Sequence, residues 1–159
     1  MRTNEPGGSG AIVNRLDEPG PRRLEELDHD EALELLGSVT FGRVVFTLAA
    51  LPAVRPVNHV LDDGDIVIRT RRLAGVSTAL EANTDLGMPD LVVAYEADLL
   101  DPVTRFGWSV VITGVATAIH DPRRLARVEG RLKSWVDSEM DVTLAIRPEI
   151  VTGMRLVAR

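Results

Sequence analysis

The segment Leu51–Thr70, LPAVRPVNHVLDDGDIVIRT, constrains the fold more than any other part of the chain. Two stretches rich in β-branched residues flank Asp62-Asp63-Gly64-Asp65. Asp63-Gly64 suits the central positions of a type I′ turn, which both need positive φ, so the segment predicts a tight β-hairpin. The turn sets the register: Asp62 faces Asp65, Leu61 faces Ile66, His59 faces Ile68, Val57 faces Thr70 and Arg55 faces Arg72. Opposed residues share a face, as does every second residue along a strand. Arg55, Thr70 and Arg72 therefore gather at the open end of the hairpin. Two guanidinium groups and a hydroxyl suit a phosphate or carboxylate, although surface arginines on a half-exposed strand give the same pattern. Pro56 cannot donate to a ladder, so it marks an edge or a bulge.

The rest of the chain reads as one domain behind a tail. Met1 to about Arg23 holds Gly7-Gly8-Ser9-Gly10, Pro19, Gly20 and Pro21 with few apolar residues, and reads as a flexible tail. The folded domain is expected over residues 24–159. Asp28 and Glu31 form a capping-box pattern ahead of Ala32, Leu33, Leu35 and Leu36, predicting a short helix that Gly37 ends. Phe41–Leu48, Leu91–Ala97 and Trp108–Ile119 read as strands, with Gly114 marking a bulge or bend. Leu73–Ala82 has helical spacing. Asp121 and Pro122 start a helix that runs to about Trp135. Val142–Ile146 and Val151–Val157 read as the last strands, separated by Arg147-Pro148-Glu149. Six or seven strands with short helices predict a mainly β fold, an antiparallel barrel with appended helices.

Composition narrows the function classes. A net charge of −6 gives no electrostatic footprint for nucleic acid or an anionic membrane. The absence of cysteine removes disulfide and thiolate chemistry and fits a reducing cytoplasm. No apolar run is long enough to span a bilayer, and no signal peptide is expected. His29, His59 and His120 lack zinc spacing. Neither a nucleophile elbow, a Walker loop nor a dinucleotide fingerprint is present. Most carboxylates fall in loops and caps, where solvation explains them. Trp108 and Trp135 are the only tryptophans, each suited to a core, an interface or a ring-stacking site. The helix after Thr70 brings backbone N–H groups near the arginines, with Ser77 and Thr78 as possible hydroxyl donors.

Gly42–Thr47 (GRVVFT), Ala50–Thr70, Asp101–Thr117 (DPVTRFGWSVVITGVAT) and Ile146–Leu156 (IRPEIVTGMRL) occur in an order that resembles the pyridoxamine 5′-phosphate oxidase-like FMN-binding split-barrel superfamily, in its actinobacterial, nitroimidazole-resistance-type branch. The resemblance covers about Leu27–Val157. It implies a six-stranded antiparallel split β-barrel of Greek-key type, a homodimer, and flavin held at the subunit interface. By position, Arg55 and Thr70 would meet the flavin phosphate. The Pro56-Val57-Asn58 backbone and the Asn58 side chain would approach the ring, and Ser109, beside Trp108, its polar edge. With Arg69, Arg72 and Ser77, these residues form the candidate cofactor set.

The resemblance also implies a lysine just after the Arg-Thr pair, where this chain has Gly75. Losing a cation at a phosphate costs about 1.5–3 kcal/mol, which Arg71 or Arg72 can offset. Two functions follow. One is an FMN-dependent oxidoreductase with an unidentified substrate and electron donor. The other is a non-enzymatic cofactor-binding, stress- or redox-sensing barrel with weak or lost FMN binding. A deazaflavin coenzyme, or haem ligated by His59, is the alternative cofactor.

Overall fold

The computed structural model describes residues 20–71, 75–87, 90–132 and 142–158. The elements run β1 (Arg22–Glu26), α1 (His29–Ser38), β2 (Phe41–Leu48), β3 (Leu51–Asp62), β4 (Asp65–Thr70), α2 (Gly75–Asp85), β5 (Leu91–Leu100), β6 (Gly107–Ala118), α3 (Pro122–Glu129) and β7 (Val142–Ala158). All strands pair antiparallel, in the order β1-β7-β4-β3-β2-β5-β6, and β6 also pairs with β7. That last pairing closes a six-stranded barrel, with β1 added outside on β7. The fold is the split barrel expected from the sequence.

The Asp63-Gly64 turn forms as predicted, with φ of 53° and 83°. Its register holds from Asp62–Asp65 to His59–Ile68 and then stops. Val57 lies opposite Gly42 of β2, and β4 turns to pair with β7 through Thr70–Val142. The expected pairing of Val57 with Thr70 is therefore not made, and Arg72 lies outside the described residues. The strands part because each has a second neighbour whose ladder continues while their own ends, and this parting splits the barrel.

Pro56 sits on an edge, not a bulge, since the β2–β3 register is uninterrupted from Leu48–Leu51 to Phe41–Asn58. The His59 amide donates to the Thr40 carbonyl at 3.0 Å. By antiparallel alternation, odd-numbered residues of β3 point their amides at β2 and even-numbered ones point away. Pro52 and Pro56 both have the outward parity, so neither costs a ladder bond. Together they remove two donors from the open edge, which discourages pairing with a foreign strand.

Other boundaries shift for packing reasons. Ordered pairing begins at Arg22, two residues before the expected boundary, because β1 lies along the end of β7. Gly37 does not end α1, which continues to Ser38; a Cβ at Gly37 would lie 2.9 Å from Leu61 Cδ1, so close packing explains the glycine. The helix after Thr70 runs over Gly75–Asp85, later than Leu73–Ala82. The α3 helix ends at Glu129, and Trp135 lies outside the described residues. The two expected final strands are one 17-residue strand. Its irregularity falls opposite the Thr113–Gly114 step, where the glycine predicts it.

The main core fills the barrel with Val44, Phe46, Ile66, Ile68, Tyr95, Val110, Ile112 and Leu144, and α1 and α2 close it through Leu36 and Val76. A smaller core of Val67, Ile119, Val128, Leu132 and Ala145 lies beneath α3 on the other sheet face. Alternation along β4 divides the cores: Ile66 and Ile68 point inward, Val67 outward.

Candidate functional site

The parting of β3 from β4 creates the candidate site. Arg55, Ala53 and Val57 lie opposite Val44, Phe46 and Gly42, all on the inward face of β2. Thr70 follows Ile66 and Ile68 in the inward parity of β4 and is buried. Arg55 and Thr70 thus share a face, as predicted, but across the split instead of a continuous ladder. Arg55 is exposed, and its Nη1 donates to the Val54 carbonyl at 2.7 Å, so the guanidinium lies along the open edge of β3. The first turn of α2 closes the same region. A Cβ at Gly75 would lie 3.0 Å from Phe46 Cζ. The missing side chain lets the helix start rest against that ring.

The remaining candidates occupy different places. Pro56 is exposed, and Val57 and Asn58 are half-buried. Arg69 has the opposite parity to Thr70 and lies 3.8 Å from Glu129 of α3, on the outer face. Ser77 is buried and donates to the Arg71 carbonyl at 2.8 Å, tying α2 to the end of β4. Trp108 is 7% exposed within the main core. Its neighbour Ser109 faces outward, opposite Asp98 and Met154. The set therefore divides among the split, the α3 side, the core and the outer sheet face.

His59 is a core residue. Its Nε2 lies 2.9 Å from the Leu36 carbonyl and its Nδ1 2.7 Å from the Tyr95 hydroxyl. A carbonyl only accepts, so Nε2 carries the proton and Nδ1 accepts from Tyr95. Burial lowers the His59 pKa and raises that of Tyr95, keeping both neutral. With both ring nitrogens engaged, His59 is not placed to ligate a haem iron. Tyr95, the single tyrosine of the chain, gave no pattern in the sequence that linked it to His59.

Asp62 was also missed. It is 5% exposed and receives Arg127 in two bonds of 2.8 Å, with Arg124 at 3.1 Å and Arg131 at 3.3 Å. Arg127, and after it Arg124, hold its pKa down at about 2 against the opposing effect of burial. Arg124 also reaches Asp65, and Arg127 reaches Asp63. The hairpin turn is thus clamped to α3. Solvation does not explain this carboxylate. The available signal was the spacing of Arg124 and Arg127, which places two cations on one face of α3, with Arg131 following just past its end.

A cleft of about 340 Å³ lies between α2 and the end of β6 with the start of β7. It is lined by Ser77, Leu80, Glu81, Thr84 and Asp85 of the helix and by Ala118, Ile119, His120, Val142 and Thr143. Its two carboxylates disfavour a phosphate, so Arg55 and Thr70 remain the better anion position. Among the described residues no helix is long and apolar enough to cross a membrane.

The family model for pyridoxamine 5′-phosphate oxidase matches residues 28–155. The uncharacterized protein Rv0080 of Mycobacterium tuberculosis is 55% identical over 144 residues, covering 91% of this chain and 93% of that protein. A Corynebacterium glutamicum structure provisionally named a pyridoxamine 5′-phosphate oxidase aligns with a TM-score of 0.66 and 30% identity, over 86% of this chain and 100% of that one. An FAD-binding protein of Mycobacterium smegmatis aligns with a TM-score of 0.61 and 26% identity, over 84% and 98%. With the family model matched across the whole barrel, the chain belongs to the pyridoxamine 5′-phosphate oxidase family of split-barrel proteins.

Proposed function

We propose that this protein binds a flavin along the open edge of β3 and serves as a flavin-dependent oxidoreductase, with FMN as the cofactor. The carrying observation is the split beyond His59 and Ile68, which leaves Arg55 and Thr70 on one face beside the first turn of α2. The donor set fits the group. Arg55 supplies a fixed positive charge for phosphate, Thr70 a hydroxyl, and the start of α2 backbone N–H groups. The outward carbonyls of Val54 and Pro56 suit the imide N–H of a flavin ring. When bound, the flavin supplies the hydride or electron transfer. The chain holds and orients it, and the buried Phe46 and half-buried Val57 limit water behind it. FAD binding by the Mycobacterium smegmatis relative supports a flavin here.

The groove is completed by a second copy of the chain. The outer sheet face supports this reading, because Val54, Val45, Ala94, Thr113 and Ile150 are in register across five strands. Val54 is 49% and Ile150 60% exposed. Such a row is more apolar than a solvated sheet face requires. Ser109 belongs to the same outer face and would approach the partner's groove.

Gly75 favours a second reading, a non-catalytic carrier or sensor with weakly held FMN or a deazaflavin coenzyme. Phe46 fills the space beside it, so the start of α2 brings no side-chain cation there. An absorption spectrum of purified protein, followed by FMN titration, tests both readings. The expected result is a shifted flavin band, with Arg55→Ala weakening binding by about one to two decades. Saturable binding without turnover by reduced nicotinamide favours the carrier. No binding of FMN, FAD or a deazaflavin removes both. Sedimentation as a stable monomer at micromolar concentration removes the shared groove.

A further inference from the structure

We propose that the cleft beyond α2 binds a small organic cation, an ammonium group carried on an apolar body. Ser77, Leu80, Glu81 and Thr84 follow one another at helical spacing, so a single face of α2 forms one wall. The other wall is the end of β6 with the start of β7, joined where the Ile119 amide donates to the Thr143 carbonyl at 2.9 Å. At about 340 Å³ the space falls in the range of small-molecule sites.

The formal charge on the described lining residues is negative. Glu81 and Asp85 are four residues apart on the same helical face. They lie towards the C-terminal end of α2, the negative end of the helix dipole. No basic residue occupies the last turn of α2, and among the described residues the lining includes neither Lys nor Arg. His120 lies on the opposite wall.

Two observations favour an organic cation over a metal ion. Among the described residues, no group of three or more His, Cys, Asp or Glu side chains could hold a metal. Leu80, Ala118, Ile119 and Val142 make much of the wall apolar, which suits a hydrocarbon body better than a hydrated ion. The three donors of an ammonium match the Glu81 and Asp85 carboxylates and the Thr84 or Thr143 hydroxyl. The described lining excludes Arg55 and Thr70, and the hydroxyl of Ser77, which it shares with the candidate cofactor set, donates to the Arg71 carbonyl.

The test uses the full chain, isotopically labelled for amide NMR, with benzylamine as probe and benzyl alcohol and benzoate as its neutral and anionic counterparts. Benzylamine should shift the amides of Leu80, Glu81, Thr84, Ile119 and Thr143 saturably. The double variant Glu81→Gln, Asp85→Asn should weaken that binding by about tenfold or more. Both side chains lie at exposed positions, and an unchanged spectrum elsewhere reports an intact fold. Equal binding of benzoate or benzyl alcohol, unaltered benzylamine affinity in the double variant, or no saturable shift in the cleft would each overturn the proposal.

Discussion

The Tyr95 hydroxyl donates to Nδ1 of His59 across 2.7 Å, because Nε2 of the same ring is committed as donor to the Leu36 carbonyl. The rings meet edge to face with centroids 5.3 Å apart. One buried imidazole thus joins α1, β3 and β5. It does so at the last residue of β3 that still pairs with β4, which holds the site's split in place.

That arrangement makes stability depend on pH. Burial lowers the folded-state pKa of His59 below its ordinary 6.5. The unfolded chain therefore takes up the proton first as pH falls. His59's contribution is complete above about pH 6.5 and declines as pH drops towards the folded pKa, with a limiting slope of about 1.4 kcal/mol per pH unit. Urea unfolding of wild type should show this fall between pH 7.5 and 5.5, and His59→Gln should flatten it. Parallel pH profiles would contradict the assignment.

Gly42 protects the same pair. A Cβ there would lie 2.5 Å from the Glu96 carbonyl oxygen and 2.6 Å from the Tyr95 hydroxyl. Backbone cannot yield as a flexible side chain can, so Gly42→Ala should cost about 3 kcal/mol. Denaturant midpoints measure the loss, and a neutral result would mean the strands separate easily at this point.

Asp62 controls the docking of α3. Its folded pKa of about 2 lies below its ordinary 3.8, so its contribution is present above about pH 3.8 and is lost as pH falls through 2. Asp62→Asn should cost about 2–3 kcal/mol near neutrality, because three guanidinium groups lose their shared acceptor. The gap from wild type should narrow on acidification from pH 4 to 2. A constant gap across that range would assign the effect to packing.

The β2–β3 turn carries strain in a different way. Ala49 and Ala50 occupy its centre with φ of 50° and 62°, a left-handed conformation that suits Asn and Gly. Replacing the pair by Ala49→Asn and Ala50→Gly should stabilise the protein by about 1–2 kcal/mol. Thermal unfolding reads this directly, and an unchanged midpoint would mean that the alanines gain compensating contacts.

Local chemistry made the Asp63-Gly64 turn, the α1 cap at Asp28, the α3 start at Asp121-Pro122 and the alternating strands legible in the sequence. Each depends on residues a few positions apart, whose φ preferences and side-chain reach act before any tertiary contact. The face shared by Arg55 and Thr70 was also legible, because alternation fixes it. The end of the β3–β4 ladder at His59–Ile68 was not, since it depends on β2 holding the far edge of β3 and β7 the far edge of β4. Burial of His59 against Tyr95, and of Asp62 beneath Arg124, Arg127 and Arg131, likewise joins residues 36 to 69 positions apart. Only the closed barrel brings such groups out of water together. The sequence determined which pieces form and which way their side chains alternate; the tertiary structure decided where two strands separate and which charges are buried.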